Sequence, residues 1–152
     1  MKQRFESSRW IGVLPAAGLA AVLALTLAAV AFADPWPTLR SGMWEYQRTM
    51  VRSAQPGKPI VVTKRKCGNP AEDMKRQNAQ LTAAGCRFSP VRKAGNVYTF
   101  TSQCSMAGIQ VQSRSTLTVE SPDAYHLFVE SREGGETSKE TLIARRMGDC
   151  AK

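Results

Sequence analysis

The amino-acid sequence predicts a mainly β fold: an antiparallel meander of about seven strands curled into a half-barrel or barrel, with one short helix (about 70–83) and two disulfides. Three observations predict it. Apolar and polar residues alternate along most segments after residue 41, which is the two-residue period of a half-buried strand. Short turns, many with glycine, separate these segments, and all four cysteines lie among them. Because flat wide sheets are unfavourable, a sheet of this many strands is expected to curl.

Residues 1–33 are expected to be a signal peptide rather than part of the fold. A basic start precedes an uncharged stretch from Trp10 to Ala33, which ends in the small-x-small pattern Ala31-Phe32-Ala33. Cleavage after Ala33 would leave residues 34–152 as a single antiparallel β domain, periplasmic or secreted. The alternative is a retained membrane anchor, since about 20 apolar residues can span a bilayer. An uncleaved leader would then be the protein's only attachment to the membrane.

The chain is strongly basic, with a formal charge of +9 that falls to +7 without the charged residues of the leader. In a cytosolic protein this balance would suggest nucleic acid. With an export signal, anionic envelope components are the partners within reach, and no nucleic acid is expected. The alternative is a basic, soluble surface without a specific partner.

The predicted domain opens with a β-hairpin. Residues 43–52 alternate, with Trp44 and Tyr46 on one face, as in a strand half covered by a core. Trp44 is expected to be largely buried. Gln55-Pro56-Gly57-Lys58 is predicted to turn at its Pro-Gly pair. Ile60-Val61-Val62-Thr63 then resumes as a β-branched run, which completes the hairpin.

One helix is predicted over about 70–83. Asn69 is a suitable N-cap and Pro70 suits the first helical position, where its missing N–H costs nothing. Met74 and Leu81 form only a thin apolar stripe, and Gly85 can end the helix in a left-handed conformation. The helix is therefore too polar for a core element and is expected to cap an edge or one end of the sheet.

The remaining strand signals come at even intervals and predict a meander. The predicted strands cover 87–93, 97–104, 109–120, 124–131 and 137–147. Between the first two, Ala94-Gly95-Asn96 forms a glycine-containing hairpin turn.

The four cysteines are Cys67, Cys86, Cys104 and Cys150, and an even number in a small exported chain predicts two disulfides. Their spacings contain no C-x-x-C, and the chain has a single histidine, so neither a redox motif nor a metal site is predicted. A two-residue turn at Gly95-Asn96 would pair Cys86 with Ser105, which favours Cys67–Cys86 and Cys104–Cys150. A three-residue turn would instead place Cys86 opposite Cys104, and that pairing is the rival.

No catalytic constellation can be recognised. His126 is expected to lie on the less apolar side of its strand, the carboxylates are scattered, and no Gly-x-Ser-x-Gly elbow occurs. No cofactor is predicted. A small β-sheet binding or accessory module of the cell envelope is favoured over an enzyme with an unrecognised site.

Candidate binding residues are the aromatic side chains predicted to share a sheet face, together with basic residues at strand ends. They would suit an apolar or an anionic ligand. They are Trp44, Tyr46, Tyr98, Phe100, Lys64, Lys66 and Arg145.

An ordered set of short motifs runs from Leu39-Arg40-Ser41-Gly42-Met43-Trp44-Glu45 through the first three cysteines to Gly148-Asp149-Cys150. This set resembles the bacterial exported family called domain of unknown function 3617. The resemblance covers 39–150 and implies the layout of a signal peptide, an early G-[LM]-W-E strand, four cysteines and a G-D-C ending. It implies no activity, because the family has none established. One departure is Gly-Asn-Pro after Cys67, where something closer to Leu-Thr-Pro is expected.

Overall fold

The computed structural model describes residues 36–106 and 108–151, so the predicted leader lies outside the described residues. This part of the chain forms a mainly β fold with one helix, as predicted. The elements are β1 (Gly42–Arg52), β2 (Gln55–Gly68), α1 (Pro70–Ala83), β3 (Arg87–Phe88), β4 (Arg92–Ala94), β5 (Val97–Met106), β6 (Ile109–Ser121), β7 (Ala124–Glu133) and β8 (Glu136–Gly148). Within these two ranges, no helix has the length and hydropathy needed to cross a membrane.

All eight strands belong to one antiparallel sheet, in the order β2-β1-β8-β7-β6-β5-β3, with β4 also pairing with β5. Strands β5 to β8 form the predicted meander. The β1–β2 hairpin adds on the far side of β8, so the first strand neighbours the last. The sheet is open, because β2 forms one edge and β3 with β4 the other. Of the two predicted alternatives, the closed barrel is therefore wrong.

The β1–β2 turn lies at Ser53-Ala54 and not at Gln55–Lys58 as predicted, because Arg52 already pairs with Gln55. The register then shifts before Met50 pairs with Ile60. The residues between, which include two prolines, therefore form an irregular stretch of an edge strand. Proline is tolerated there because an edge strand has one side whose N–H groups need no ladder partner.

Helix α1 has the predicted bounds and caps. The Asn69 side chain accepts hydrogen bonds from the backbone N–H groups of Ala71 at 3.0 Å and Glu72 at 3.4 Å. Its amide donates to the Leu39 carbonyl at 3.1 Å, which ties the helix start to the segment before β1. Gly85, at φ +95°, closes the other end in the left-handed region. Both ends of the helix are thus fixed.

The packed core lies at one end of the sheet's inward face. Trp44 and Ala144 are fully buried, and the Trp44 indole N–H donates to the Arg40 carbonyl at 3.0 Å. The predicted burial of Trp44 is confirmed. The core residues are Leu39, Trp44, Ala71, Tyr98, Leu117, Tyr125 and Ala144.

The chain contains two disulfides, as predicted, but the favoured pairing is wrong. The bonds are Cys67–Cys150 and Cys86–Cys104, with Cα–Cα distances of 5.6 and 4.1 Å. None of the four cysteines is free.

A one-residue shift of the strand register at Ser89-Pro90-Val91 explains why Cys86 bonds to Cys104. The hairpin turn at Gly95-Asn96 is the two-residue turn that was predicted, since Ala94 pairs with Val97. Beyond the Ser89–Val91 interruption the register moves by one residue, and Phe88 pairs with Ser102. This slip cancels the offset from the turn and brings Cys86 opposite Cys104. A proline that cannot donate to the ladder marks the place of the slip.

The Cys67–Cys150 bond joins strands that are not adjacent. Met43 of β1 pairs with Cys67 on one side and with Gly148 on the other, so the residues after β8 pass the end of β1 to reach β2. The passage is tight: a Cβ on Gly42 would meet the Gly148 carbonyl oxygen and the Arg146 side chain. The Gly-Met-Trp-Glu and Gly-Asp-Cys motifs therefore meet at the core end of the sheet.

Candidate functional site

A cavity of about 910 Å³ lies between helix α1 and the inward face of the sheet. Its floor is apolar and spans several strands, because Leu117, Leu127 and Leu142 pair in register across β6, β7 and β8. Leu117 is 1% exposed, but Leu127 and Leu142 are only half-buried. The remaining apolar floor residues are Tyr46, Val62, Phe88, Phe100, Tyr125 and Val129. Trp36, which precedes β1, also lines the cavity, and its ring contacts Phe100 with the centroids 6.2 Å apart.

The roof of the cavity is the inner face of α1. Met74, Gln77, Asn78 and Leu81 line it at the i, i+3, i+4, i+7 spacing of one helix face. Of these four, Met74 packs against the core cluster. Two of the four are amides, so this face carries too little apolar volume to fill the space above the floor.

A basic wall lines the side of the cavity formed by β1 and β2. Arg48 pairs with Glu140 at 3.0 Å, and Lys66 pairs with Asp73 at 2.5 Å. Lys64 lies opposite Tyr46 on the exposed edge strand. It has no ion-pair partner among the residues that the structure describes. The wall therefore carries one unneutralised positive charge.

Two tyrosines connect the cavity with the core. Burial, and secondarily the charge of Asp73, raises the pKa of Tyr46 to about 12. Burial, followed by electrostatic interaction with Tyr46 and Asp73, raises the pKa of Tyr125 further above its usual value. Both rings pack against Trp44, with centroid distances of 6.5 and 5.8 Å. Both phenols therefore stay protonated at neutral pH.

Away from the core, the inward face becomes a row of serines. Ser102, Ser113, Ser131 and Ser138 are paired in register across β5 to β8. The hydroxyls of Ser102 and Ser113 lie 2.6 Å apart. This end of the inward face is therefore polar. The signal was present in the sequence, as a serine at an inward position of four successive strands, but sequence reasoning did not use it.

The structure brings some predicted binding residues together and separates others. Tyr46, Phe100, Lys64 and Lys66 all line the cavity. The other three do not: Trp44 and Tyr98 are buried in the core, and Arg145 pairs with Glu45 and Ala124 on the opposite face. The helix residues, and Leu127, Val129 and Leu142, were missed as cavity residues. They could not be assigned because strand alternation does not reveal where a helix leaves a face uncovered.

His126 and Glu120 lie together on the opposite face of the sheet, where both side chains are exposed. His126 lies with Thr118 and Ile143 on that face, and its Nδ1 is 3.2 Å from the Glu120 carboxylate. Within the described ranges, no group of three or more His, Cys, Asp or Glu side chains could hold a metal ion.

The family model described as "Protein of unknown function (DUF3617)" matches residues 39–150. The matched range contains both disulfides, the core and every cavity residue named above. No curated protein and no solved structure matches the chain.

Proposed function

This chain belongs to the DUF3617 family of unknown function, and from that premise we propose that it is an exported cell-envelope module that binds a small apolar ligand between α1 and the sheet. The observation that carries the proposal is the apolar floor left half-covered by the helix above it. Ligand sites of about 300–1,000 Å³ with mainly apolar linings are usual for small molecules, and this cavity lies in that range.

The exposed floor has an energetic cost that a ligand would remove. Burying apolar surface stabilises the folded protein by about 25 cal/mol per Å². Half-buried side chains such as Leu127, Val129 and Leu142 therefore stabilise it less than they would if fully buried. Collapse of the helix onto the floor would bury them more fully. The helix is held against collapse by the Asn69 hydrogen bond to Leu39 at its start and by the Cys86–Cys104 bond just after its end. A fixed gap above an apolar floor favours a ligand site over loose packing.

Export is supported by the disulfides. Such bonds persist in oxidising compartments and are rare in the cytosol, and two of them join all four cysteines here. N-terminal sequencing of protein from the periplasmic fraction is expected to begin at Asp34. An intact Met1 in the membrane fraction would instead support the retained anchor.

Binding is proposed over catalysis because the two carboxylates that line the cavity are engaged. Glu140 is paired with Arg48, and Asp73 with Lys66. A general base must be free to take a proton from the substrate. The alternative, an enzyme with an unrecognised site, would require one of these pairs to open when substrate binds.

The proposal is tested by filling the cavity. Protein purified from the periplasm is expected to release an apolar compound on organic extraction and, once stripped, to bind a fluorescent hydrophobic probe. Leu127→Trp should block the binding because Leu127 lines the cavity between Leu117 and Leu142 on the floor. Phe128→Trp is the matched control: it is the next residue, is also half-buried, and lies on the opposite face. Probe binding that both variants retain would overturn the site.

A further inference from the structure

We propose that the ligand is a long-chain fatty carboxylate, with its hydrocarbon chain lying across the apolar floor and its carboxylate paired with Lys64. The inference rests on the proposed function and adds the chemical class of the ligand. Three features support it. The described cavity wall carries one unpaired positive charge, a row of mainly apolar residues begins beside that charge, and the charge belongs to a single exposed lysine.

The cavity is lined by more positive than negative charge. Four cationic side chains, Arg48, Lys64, Arg65 and Lys66, face two carboxylates. Both carboxylates are paired within the wall, and Arg65 is neutralised from outside it, by Glu45 at 2.7 Å. Lys64 is therefore where a ligand can supply a negative charge without breaking an existing pair.

The apolar track begins beside Lys64. Val62, two residues away on the same face of β2, is opposite Arg48, which is in turn opposite Leu142. The row continues through Leu127 to Leu117. It crosses from β2 to β6, which at about 4.8 Å per strand interval is about 19 Å. Arg48 interrupts the apolar row, with its guanidinium held by Glu140, and Leu117 is buried at the far end. A row of this length, with an unpaired cation beside one end, fits a linear chain with a terminal anion.

The cation at the end of the track favours a carboxylate over a phosphate. Lys64 is a single exposed ammonium, which matches one negative charge. Phosphates are typically held by arginine forks or by free backbone N–H groups at a helix start. Here the nearby arginines Arg48 and Arg65 are in ion pairs, and the first N–H groups of α1 are capped by Asn69.

Calorimetric titration of the stripped protein with saturated carboxylates from octanoate to palmitate tests the chain. Their affinity is expected to rise by up to about fourfold per added methylene, because each buried methylene contributes transfer free energy. Alcohols of equal length, which lack the charge, should bind more weakly at low salt. A monoacyl phosphatidylglycerol is included as the phosphate-bearing alternative.

Lys64→Met tests the head group. The variant should bind carboxylates about fivefold more weakly at low salt, the upper end for an exposed ion pair, and should lose the salt dependence of binding. Its affinity for alcohols should not change. Lys58→Met is the matched control: it removes a lysine from the same exposed strand, outside the cavity lining, and should change neither series.

The outcomes separate this inference from the proposed function. Equal binding of carboxylates and alcohols, unaffected by Lys64→Met, would overturn the head-group assignment while leaving an apolar site in place. Tighter binding of the monoacyl phospholipid than of palmitate would overturn the choice of a carboxylate. Absence of binding in every series, together with no co-purified compound, would overturn the proposed function itself.

Discussion

The two ends of the sheet's inward face are built from the same strands yet differ in packing. Along β1, Trp44 is fully buried, Tyr46 is half-buried, and Arg48 is exposed. Along β7, Tyr125 is 3% exposed, whereas Leu127 and Val129, two and four residues later, are half-buried. One end is a closed core and the other is an open cavity, although alternation of residues along each strand is the same throughout.

The difference comes from what covers each end. The core end is closed by Leu39 and by Pro70 and Ala71 at the start of α1, all three buried. The cavity end receives Trp36, whose ring contacts Phe100, and the later turns of the helix, where two amides lie between Met74 and Leu81. A sheet face thus becomes core or binding site according to the covering element. The comparison implies that substitutions at the core end should cost stability, and those at the cavity end should cost binding.

Loss of the Cys67–Cys150 bond, which holds the core end closed, is expected to have the largest effect on the free energy of unfolding. Its cysteines are 83 residues apart, whereas Cys86 and Cys104 are 18 apart. In the chain-entropy model the longer loop contributes about 4.5 kcal/mol and the shorter one about 3 kcal/mol. Urea unfolding of the two double Cys→Ser variants is expected to show this order. Peptide mapping without reduction should yield the same pairs, and a fragment joining residues 67 and 86 would contradict them.

The next largest effect on the free energy of unfolding is expected when one residue from each end is replaced by alanine. Trp44→Ala should lower the free energy of unfolding by about 3–5 kcal/mol, as for a fully buried aromatic side chain. Leu127→Ala should cost only about 1 kcal/mol, because the side chain is half-buried beside existing open space. Chemical denaturation measures both. Similar losses would mean that the cavity end is as closely packed as the core.

Local signals were enough to predict the elements but not their pairing. The alternation in β1 and the cap at Asn69 act over a few residues, so these strand and helix assignments are confirmed. The disulfide pairing failed because it depended on a one-residue slip at Ser89-Pro90-Val91, which changes the register of everything before it. No feature of the Gly95-Asn96 turn reveals that slip.

For the candidate site, the sequence likewise predicts which sheet face a residue lies on, but not whether that residue belongs to the core or to the cavity. Tyr46 and Phe100 were placed on an inward face correctly, because their parity within a strand is local. Whether an inward residue is core or cavity depends on distant elements, so Trp44 and Tyr98 were assigned to a binding face although they are buried. Arg145 was predicted from its charge and its place at a strand end, and its odd parity in β8 places it on the outer face.

The smallest expected effect concerns Asp73, which joins the helix to the cavity wall. Its partial burial would raise its pKa, but hydrogen bonds and charges from Lys66 and Arg76 outweigh burial and lower the pKa below the usual value. A lowered folded-state pKa contributes stability at pH values above about 4 that is lost as the pH falls through the folded pKa. Since the partners are largely exposed, the contribution should be under about 1 kcal/mol.

Asp73→Asn should therefore lower stability slightly at pH 7 and reduce the loss of stability on acidification below about pH 4. Glu72→Gln is the matched control, because it removes a carboxylate from the same first turn of α1 that pairs with Lys75, on the exposed side of the helix. Denaturation midpoints at several pH values measure both variants. If Asp73→Asn kept the full acid sensitivity of the unaltered protein, the link from Lys66 to the helix would contribute nothing. The helix would then be held over the cavity by Asn69, by the Cys86–Cys104 bond and by the core packing of its first turn.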